Sequence, residues 1–397
     1  MTAVPERGAA VGVARRLAAV VDRHRADLIA LSHDLHRHPE LAFAEHRSSA
    51  AVAEALVAGG FQVTRNVVGL DTAFVARAGT GDLRVGVFAE YDALPGLGHA
   101  CGHNMIAAIA VGAGLALAEV ADELGLTVEV YGTPAEETGG GKVLMLERGA
   151  FDGLACAGMV HPGPVDVVGA RSLALADLAV EYSGVESHAS AAPHLGRNAG
   201  DAVTVAQVAL GLLRQHLEPG QQLHGIVARG GDAPNIVPAS TELLYYLRAR
   251  SRESLDRLYA RAEACFAAGG LATGCTHAVR EVSPPYAELT PDPWLAGAYR
   301  RAIEGRGRTP IAPESEEHFL LGSTDMGNVS REIPSLHPTI GIDAGGAVTH
   351  QPAFAAACVS PSADLGVVDG AVALAEAFAA AAADEQQRAR LVRGARE

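Results

Sequence analysis

The chain has 397 residues, of which 49% are hydrophobic and 5% aromatic, so it can bury cores made mainly of aliphatic side chains in two domains. Its formal net charge of -15 disfavours a nucleic-acid partner, because phosphate contacts need clustered Lys and Arg residues. We find no signal segment and no stretch that reads as a membrane span. Five scattered cysteines without a Cys-x-x-Cys pair agree with a reducing compartment. These features predict a cytoplasmic protein with a small-molecule substrate and no membrane partner.

Alternating helices and strands are predicted for the first third of the chain from the spacing of its apolar residues. The predicted elements are helices over 13–35 and 48–59, strands over 61–64, 72–76 and 83–88, a helix over 105–124 and a strand over 127–131. The continuous apolar run over 83–88 is typical of a strand buried in a parallel sheet. Ligands in open α/β sheets bind outside the carboxyl ends of such strands, so the residues that follow 88 and 131 are candidates for a site.

The pattern changes near residue 172. The elements predicted from there are a strand over 173–182, a helix over 198–216, strands over 223–228 and 241–249, a helix over 251–268 and a strand over 276–282. This β-α-β-β-α-β order is that of ferredoxin-like domains. It predicts an inserted domain over 173–284 between the two parts of a first domain, 1–172 and 285–397. In the second of these parts we expect helices over 294–304 and 364–384 and a strand over 339–342.

A thiol and an imidazole flank a single glycine in the segment Gly98-His99-Ala100-Cys101-Gly102-His103-Asn104. Side chains two residues apart can converge on one ion when the residue between them is small. Thiolate and imidazole are both good zinc ligands. Taken alone, the pair also fits a buried thiol beside a hydrogen-bonded histidine.

Two adjacent carboxylates, Glu136 and Glu137, follow the predicted strand over 127–131. Neighbouring carboxylates repel each other unless a cation or a shared proton compensates them. One glutamate bound to metal and the other free to act as a base would meet this requirement. His161 and His350 stand where further apolar or glycine-rich segments end. The whole set suffices for two zinc ions that share a bridging ligand and a water molecule.

Six short motifs together resemble one known superfamily. They are His36-Arg37-His38-Pro39-Glu40, Glu90-Tyr91-Asp92-Ala93-Leu94-Pro95, the GHACGHN segment at 98–104, the GTPAEE segment at 132–137, MVHP at 159–162 and THQPAF at 349–354. The chain resembles, over about 28–375, the dinuclear zinc aminoacylase and carboxypeptidase superfamily. Within it, the chain is similar to the amidohydrolase branch of aminobenzoyl-glutamate hydrolase, auxin-conjugate hydrolases and aminoacylase-1-like dipeptidases. The resemblance implies an α/β, zinc-exopeptidase-like catalytic domain with a mixed sheet flanked by helices, and an inserted ferredoxin-like α+β domain for lid closure and dimerisation.

The resemblance also implies a role for each residue of the site. Cys101 is similar to the bridging ligand, His103 and His161 would complete one metal, Glu137 and His350 would complete the other, Glu136 matches the general base, and Asp92 would orient a ligand. The sequence departs from the wider superfamily at Glu90-Tyr91-Asp92, where a His-x-Asp motif is expected. His103 would replace the ligand that is missing there, as in the amidohydrolase branch.

In the inserted domain, Ser187-His188-Ala189 is similar to the lid histidine of the family. In dimers this histidine reaches the partner's active site and polarises the scissile carbonyl, so the resemblance implies a homodimer formed through the lid domain. Asn235 and Arg248 match the pair that holds the carbonyl oxygen or carboxylate of the substrate. A planar guanidinium is suited to bidentate recognition of a carboxylate.

The function expected from these residues is metal-dependent hydrolysis of an amide bond in a small N-acyl amino acid or dipeptide-like substrate by a metal-activated water. Two divalent ions are expected, with zinc as the first expectation and manganese or cobalt as alternatives. The alternative function is a deaminase or arylamide hydrolase that acts on an aromatic amine with the same dinuclear site. A non-catalytic metal scaffold would leave Glu136 without a use, and no GxSxG elbow supports serine hydrolase chemistry. Loops such as 313–325 are expected to shape specificity.

Overall fold

The computed structural model describes residues 4–316 and 319–395, and its contacts divide the chain into two compact units. Unit 1 combines residues up to Arg171 with those from Leu289 onward, and unit 2 is Ser172–Glu288. The sequence predicts an insertion over 173–284. Compared with that prediction, the observed unit 2 begins one residue earlier and ends four residues later.

Helices and strands alternate along most of the chain. The helices are α1 Val4–Arg37, α2 His46–Ala58, α3 His103–Glu119, α4 Ala121–Leu124, α5 Gly141–Glu147, α6 Ala199–Leu213, α7 Arg252–Thr273, α8 Pro293–Gly305, α9 Pro313–Glu316, α10 Met326–Glu332, α11 Pro352–Ala357, α12 Pro361–Ala383 and α13 Glu385–Gly394. The strands are β1 Gln62–Arg65, β2 Phe74–Gly79, β3 Leu83–Glu90, β4 Leu126–Thr133, β5 Cys156–Gly158, β6 His161–Gly163, β7 Arg171–Ser172, β8 Ala174–Ser183, β9 Gln222–Arg229, β10 Ser240–Ala249, β11 Thr276–Glu281, β12 Leu320–Leu321, β13 Ser335–Leu336 and β14 Thr339–Gly341.

Unit 1 is built on a mixed sheet with the strand order β1-β2-β4-β3-β5-β13. Strands β4, β3, β5 and β13 run parallel, whereas β1 and β2 form an antiparallel edge. Helix α3 packs on β3, and α1 and α12 pack on α3, so apolar side chains cover both sides of that helix. The predicted α/β class with a mixed sheet flanked by helices is confirmed. The parallel strands place the carboxyl ends of β3, β4 and β5 at one edge of the sheet.

The helix predicted over 105–124 consists of two helices. Helix α3 ends at Glu119, and α4 begins at Ala121 after Val120, whose φ of -114° is not helical. The backbone N–H of Val120 donates to the carbonyl of Leu117, a bond three residues back that tightens the final turn. The apolar spacing continues through this break because Val120 itself remains buried, so periodicity alone did not reveal it.

Helix α12 corrects the expectation that no stretch is long and apolar enough to span a membrane. Among the described residues it alone meets that criterion, with 23 residues and a window of mean hydropathy 1.6. However, 83% of this window is buried inside the structure, where α12 contacts α1, α3 and α8. Core helices of this kind pass the same test of length and composition, and we assign α12 to the core of unit 1.

Unit 2 has the element order β8-α6-β9-β10-α7-β11 and one antiparallel sheet with the strand order β11-β8-β10-β9. Alternate residues of β10, Leu243, Tyr245 and Leu247, are buried with residues of α6 and α7 in a separate core. Each helix has a side-chain cap, because Asn198 accepts from the N–H of Gly200 and Ser251 accepts from the N–H of Ser254. Strand β9 lies at the edge of the sheet, and most of its residues are exposed.

Candidate metal centre

The candidate ligands of unit 1 belong to segments at the carboxyl ends of the parallel strands. Glutamates 136 and 137 follow β4, and His103 begins α3 in the connection between β3 and β4. The turn before α3 requires glycine at Gly102, whose φ is +78° and where an added Cβ would lie 2.3 Å from Cγ of Pro162. This close approach brings the Cys101–His103 segment against the His161–Gly163 strand.

Two groups of potential ligand atoms share the Cys101 thiol. In each group the ligand atoms all lie within 4.8 Å of one another, and the groups are Cys101, His103 and His161, and Cys101, Glu137 and His350. The structure therefore brings together all five residues that the sequence singled out as metal ligands. His350 reaches this position with a φ of +66°, and its N–H donates to the carbonyl of Ala100.

Hydrogen bonds orient two of the imidazoles. Nδ1 of His103 lies 2.9 Å from Oδ1 of Asp92, while Oδ2 of the same carboxylate accepts from the backbone N–H of Glu137 at 2.9 Å. Nδ1 of His161 lies 2.6 Å from the carbonyl oxygen of Pro162. An Nδ1–H that donates to an oxygen leaves the lone pair of Nε2 for a metal, which is how metal-binding histidines are usually oriented. Asp92 thus connects one histidine to the loop that carries both glutamates.

Carboxylates crowd around the buried imidazole of His103. Its Nε2 lies 3.4 Å from Oε2 of Glu90, 3.8 Å from Oε1 of Glu137 and 4.0 Å from Oε2 of Glu136. Burial alone would lower the pKa of His103, but Asp92 and the other acidic neighbours outweigh it and raise that pKa well above its usual value. Burial and the carboxylates Glu90 and Glu137 raise the pKa of Glu136 well above the ordinary value for a glutamate.

Lys142 is a buried charge at this site whose role sequence reasoning missed. Its Nζ lies 2.5 Å from Oε1 of Glu90 and 2.6 Å from Oδ1 of Asp325. Burial would raise the pKa of Glu90, but Lys142 and His103 reverse the effect and lower it to about 2. The sequence signal for Lys142 was its place at the start of a short apolar helix, directly after a run of glycines. The spacing of that run does not match the motif of a phosphate-binding loop.

The donor set fits a pair of divalent cations. Nε2 of His103 and Oε1 of Glu137 are buried and have no hydrogen-bond partner among the described residues. Burial raises the pKa of the Cys101 thiol well above its usual value, and Glu137 raises it further. Burial also raises the pKa of Glu137 itself. Bound cations would reverse these shifts, because they stabilise the thiolate and the carboxylate. A thiolate, imidazoles and carboxylates together are a donor set that suits zinc.

The remaining predicted site residues belong to unit 2. His188 and Asn235 lie in neighbouring segments, since the N–H of Ala189 donates to the carbonyl of Asn235 at 3.0 Å. Nδ1 of His188 accepts from the N–H groups of Ser190 at 3.3 Å and Ala191 at 3.2 Å. The proton of a neutral His188 is therefore on Nε2, which makes that atom a donor.

Arg248 lies on β10 and is half-buried. Its guanidinium carbon is 5.4 Å from the centre of the Tyr246 ring, a cation–π contact. Burial lowers the pKa of Arg248 from its usual value, although an arginine remains charged.

Two more residues near the candidate centre carried no assigned role in the sequence analysis. Glu45 is fully buried, and its carboxylate accepts from the N–H of Ala135, the residue before Glu136. His337 is also buried, with its ring centre 5.8 Å from that of His161. Neither stands beside a recognisable motif of ligands, so only the folded chain reveals them. In the loop over 313–325, residues 317 and 318 lie outside the described residues.

The chain belongs to the peptidase family M20/M25/M40, whose sequence model matches residues 86–367. It is therefore a hydrolase of a family that includes dipeptidases and amidohydrolases. The family match covers the Cys101 segment, both glutamates, His161, His350 and the whole of unit 2.

The chain is similar to several named proteins. The chain is 40% identical to the Xaa-Arg dipeptidase of Mus musculus over 377 residues, which cover 91% of this chain and 87% of the relative. It is 36% identical to one of the polypeptides of p-aminobenzoyl-glutamate hydrolase from Escherichia coli, over 56% of this chain and 51% of the relative. Among solved structures, the YxeP protein of Bacillus subtilis, a dinuclear metal binding peptidase of family M20, matches with a TM-score of 0.66 at 21% identity. That match covers 90% of this chain and 98% of YxeP, and at this identity it shows the fold alone.

We expect Asp92→Ala to weaken metal binding by about 10- to 100-fold, because it removes the acceptor that orients His103 and anchors the Glu137 loop. Competition against a chromogenic chelator measures the affinity. Asp122→Ala, which alters an exposed aspartate of α4, is the matched control. Equal affinity of both variants and the wild type would show that Asp92 does not support a metal ligand.

Proposed function

We propose that the chain hydrolyses the amide bond of dipeptides or N-acyl amino acids, and that a dipeptide with a C-terminal arginine is the first substrate to test. The observation that carries the proposal is the pair of ligand groups that share Cys101, with the Glu136 carboxylate beside them. Mouse Xaa-Arg dipeptidase, a relative that aligns with 91% of this chain, supports the choice of substrate.

Cys101 would bridge two divalent ions, with His103 and His161 completing one site and Glu137 and His350 the other. We propose zinc for both sites on account of the thiolate, with manganese or cobalt as alternatives. When bound, such ions lower the pKa of a water molecule from about 15.7 towards about 7 and polarise a carbonyl group.

Glu136 is the general base of the proposed reaction. Its side chain is 11% exposed, and its Oε2 lies 4.0 Å from Nε2 of His103. Its carboxylate accepts a proton from the attacking water and then returns that proton to the nitrogen of the departing amine. The ammonium of the nearby Lys142 is paired with the carboxylates of Glu90 and Asp325.

We assign substrate recognition to three residues of unit 2. A neutral His188 presents Nε2–H as a donor, which suits a carbonyl oxygen that gains negative charge in the transition state. Asn235 would supply an amide and Arg248 a guanidinium, which contacts the Tyr246 ring, to the carbonyl oxygen or the carboxylate of the substrate. Closure of unit 2 as a lid would exclude bulk water during the reaction.

The alternative function expected from the sequence is a deaminase or arylamide hydrolase that acts on an aromatic amine with the same dinuclear site. The mouse relative is named as a dipeptidase, and no residue of the described site favours an aromatic amine over a peptide. We therefore retain the amide hydrolase. The cytoplasmic location and the absence of nucleic-acid and membrane partners remain predictions.

Glu136→Gln is expected to lower kcat by about 10²- to 10⁴-fold, because the amide cannot accept the proton of the attacking water. Its metal content should equal that of the wild type. The assay incubates the metal-loaded protein with Xaa-Arg dipeptides, N-acyl amino acids and aminobenzoyl-glutamate, and chromatography identifies the products. Glu147→Gln, an exposed glutamate of α5, is the control. Normal turnover by Glu136→Gln would refute the base, and ammonia released from an aromatic amine would favour the alternative.

We also propose a homodimer that forms through unit 2. Among the described residues, strand β9 forms one edge of its sheet, and on it Ile226 is 62% and Val227 is 43% exposed. Helix α6 of the same unit exposes Val208 and Leu212. Exposed apolar edge strands readily pair with another chain, and a second copy offers the same edge for an antiparallel contact.

Ile226→Asp should convert the dimer to a monomer, because a charge on each copy would face the other across the paired edges. Light scattering coupled to size-exclusion chromatography measures the mass. Leu271→Asp alters a side chain of α7 that is 88% exposed elsewhere in unit 2, and this variant should stay dimeric. A monomeric wild type, or a dimer that tolerates Ile226→Asp, would contradict the proposed interface.

A further inference from the structure

The residue before the proposed base has an unusual backbone. Ala135 has a φ of +58°, in the left-handed region that residues other than glycine rarely adopt, and its side chain is fully buried. Such a conformation costs of order 1 kcal/mol and persists only where surrounding contacts impose it. The turn at Ala135 determines the direction in which Glu136 leaves the end of β4.

A buried carboxylate holds this turn. Oε1 of Glu45 accepts from the N–H of Ala135 at 2.9 Å, and Oε2 accepts from the hydroxyl of Thr72 at 2.8 Å. Glu45 is 0% exposed and Thr72 is 1% exposed, so water does not compete for either bond. Both oxygens of Glu45 therefore have a fixed partner, and one of them is the amide that precedes the base.

The segment that carries Glu45 also packs against the far end of the same loop. An added Cβ at Gly139 would lie 2.5 Å from Cε2 of Phe43, so the two segments are in close contact there. On the other side of the base, the N–H of Glu137 donates to Asp92. The loop is thus held at Ala135 by Glu45, at Glu137 by Asp92 and at Gly139 by Phe43, with Glu136 between the first two.

We propose that Glu45 is a positioning residue for the general base, acting through the N–H of Ala135 to hold the left-handed turn that directs Glu136 into the site. This inference rests on the proposed function, since it presupposes that Glu136 is the base. Displacement of a catalytic group by about 1 Å can lower a rate by about 100-fold, so a contact that holds the turn in place affects the rate of hydrolysis. The role requires only an acceptor oxygen at position 45.

Hydrogen exchange tests the contact without any substrate. In Glu45→Ala the peptide that contains the Ala135 amide should exchange about tenfold faster or more than in the wild type, because the amide loses its buried acceptor. Glu45→Gln keeps an acceptor oxygen and should retain the protection. Glu40→Ala is the matched control, since Glu40 lies in the same segment but accepts from the N–H groups of Arg47 and Ser48 at the start of α2. It should leave the exchange of this peptide unchanged.

Kinetics with the metal-loaded protein then separate positioning from stability. Glu45→Ala should lower kcat by about 100-fold while KM changes by no more than about twofold, because the base moves but the substrate contacts of unit 2 do not. Glu45→Gln should stay within about threefold of the wild type, and Glu40→Ala should keep the wild-type kcat even if its melting temperature falls. Bound metal is measured in each sample. It should equal that of the wild type, because Asp92 still holds Glu137.

A double variant makes the test more specific. Glycine adopts a positive φ without steric cost, so Glu45→Ala combined with Ala135→Gly should regain about tenfold in kcat over Glu45→Ala alone. If Glu45→Ala does not fold, Thr72→Val replaces it, since it removes one of the two bonds that fix the carboxylate. That variant should exchange faster at Ala135 and lose about fivefold in kcat.

Unchanged exchange and kcat in a folded Glu45→Ala or Thr72→Val variant would overturn the inference. An equal loss in Glu45→Gln, or a loss explained wholly by missing metal, would also overturn it. Failure of the proposed function has a different signature. Glu136→Gln would then turn over normally, or the wild type would not hydrolyse amides, while the faster exchange of the Ala135 amide in Glu45→Ala would still be observed.

Discussion

Negative charge concentrated in a buried space is the constraint on which the candidate site depends. Glu90, Glu136 and Asp325 offer oxygens within 4.8 Å of one another, and Glu137 adjoins them. At that separation, with an effective dielectric constant of about 20, two carboxylates repel by about 3 kcal/mol. The ammonium of Lys142 compensates Glu90 and Asp325. At the Cys101 end, Glu137 lies 3.8 Å from Nε2 of His103 and 3.5 Å from Nε2 of His350, and this set of donors suits added cations.

The fold creates this concentration from segments that are distant in the sequence. Parallel strands β3 and β4 end side by side, so Glu90 and the two glutamates after β4 meet at one edge. A glycine at 102 permits the thiol segment to approach Pro162, and the carboxylate of Asp92 ties His103 to the Glu137 loop. Each of these contacts is local and short, yet together they determine which side chains face the same small volume.

Sequence reasoning identified the residues whose chemistry is distinctive in short motifs. Cys101, His103 and the glutamate pair were recognisable because ligand types recur at close spacing. His161 and His350 were candidates because they stand where apolar or glycine-rich segments end, and the family resemblance implied which metal each would bind. The α/β class and most helices and strands were predicted from the spacing of apolar residues, because this spacing differs between helices and strands in long amphipathic or apolar runs.

Lys142, Asp325 and Glu45 were not assigned roles, because their partners lie far away in the chain: Lys142 bonds to a residue 183 positions later, and Glu45 to one 90 positions later. A single sequence carries no signal for such pairs. The break between α3 and α4 was hidden for a related reason, since burial preserved the apolar pattern across Val120.

The central claim is the proposed bridge between two ions formed by the thiol of Cys101, and metal stoichiometry tests it most directly. Elemental analysis of the purified, metal-loaded wild type should find about two ions per chain, whereas Cys101→Ala should retain at most about one, with little activity. Cys265→Ala, which alters a half-buried thiol of unit 2, should retain both ions. A Cys101→Ala protein that keeps two ions and the wild-type rate would contradict the shared thiolate, and with it the dinuclear centre proposed for this chain.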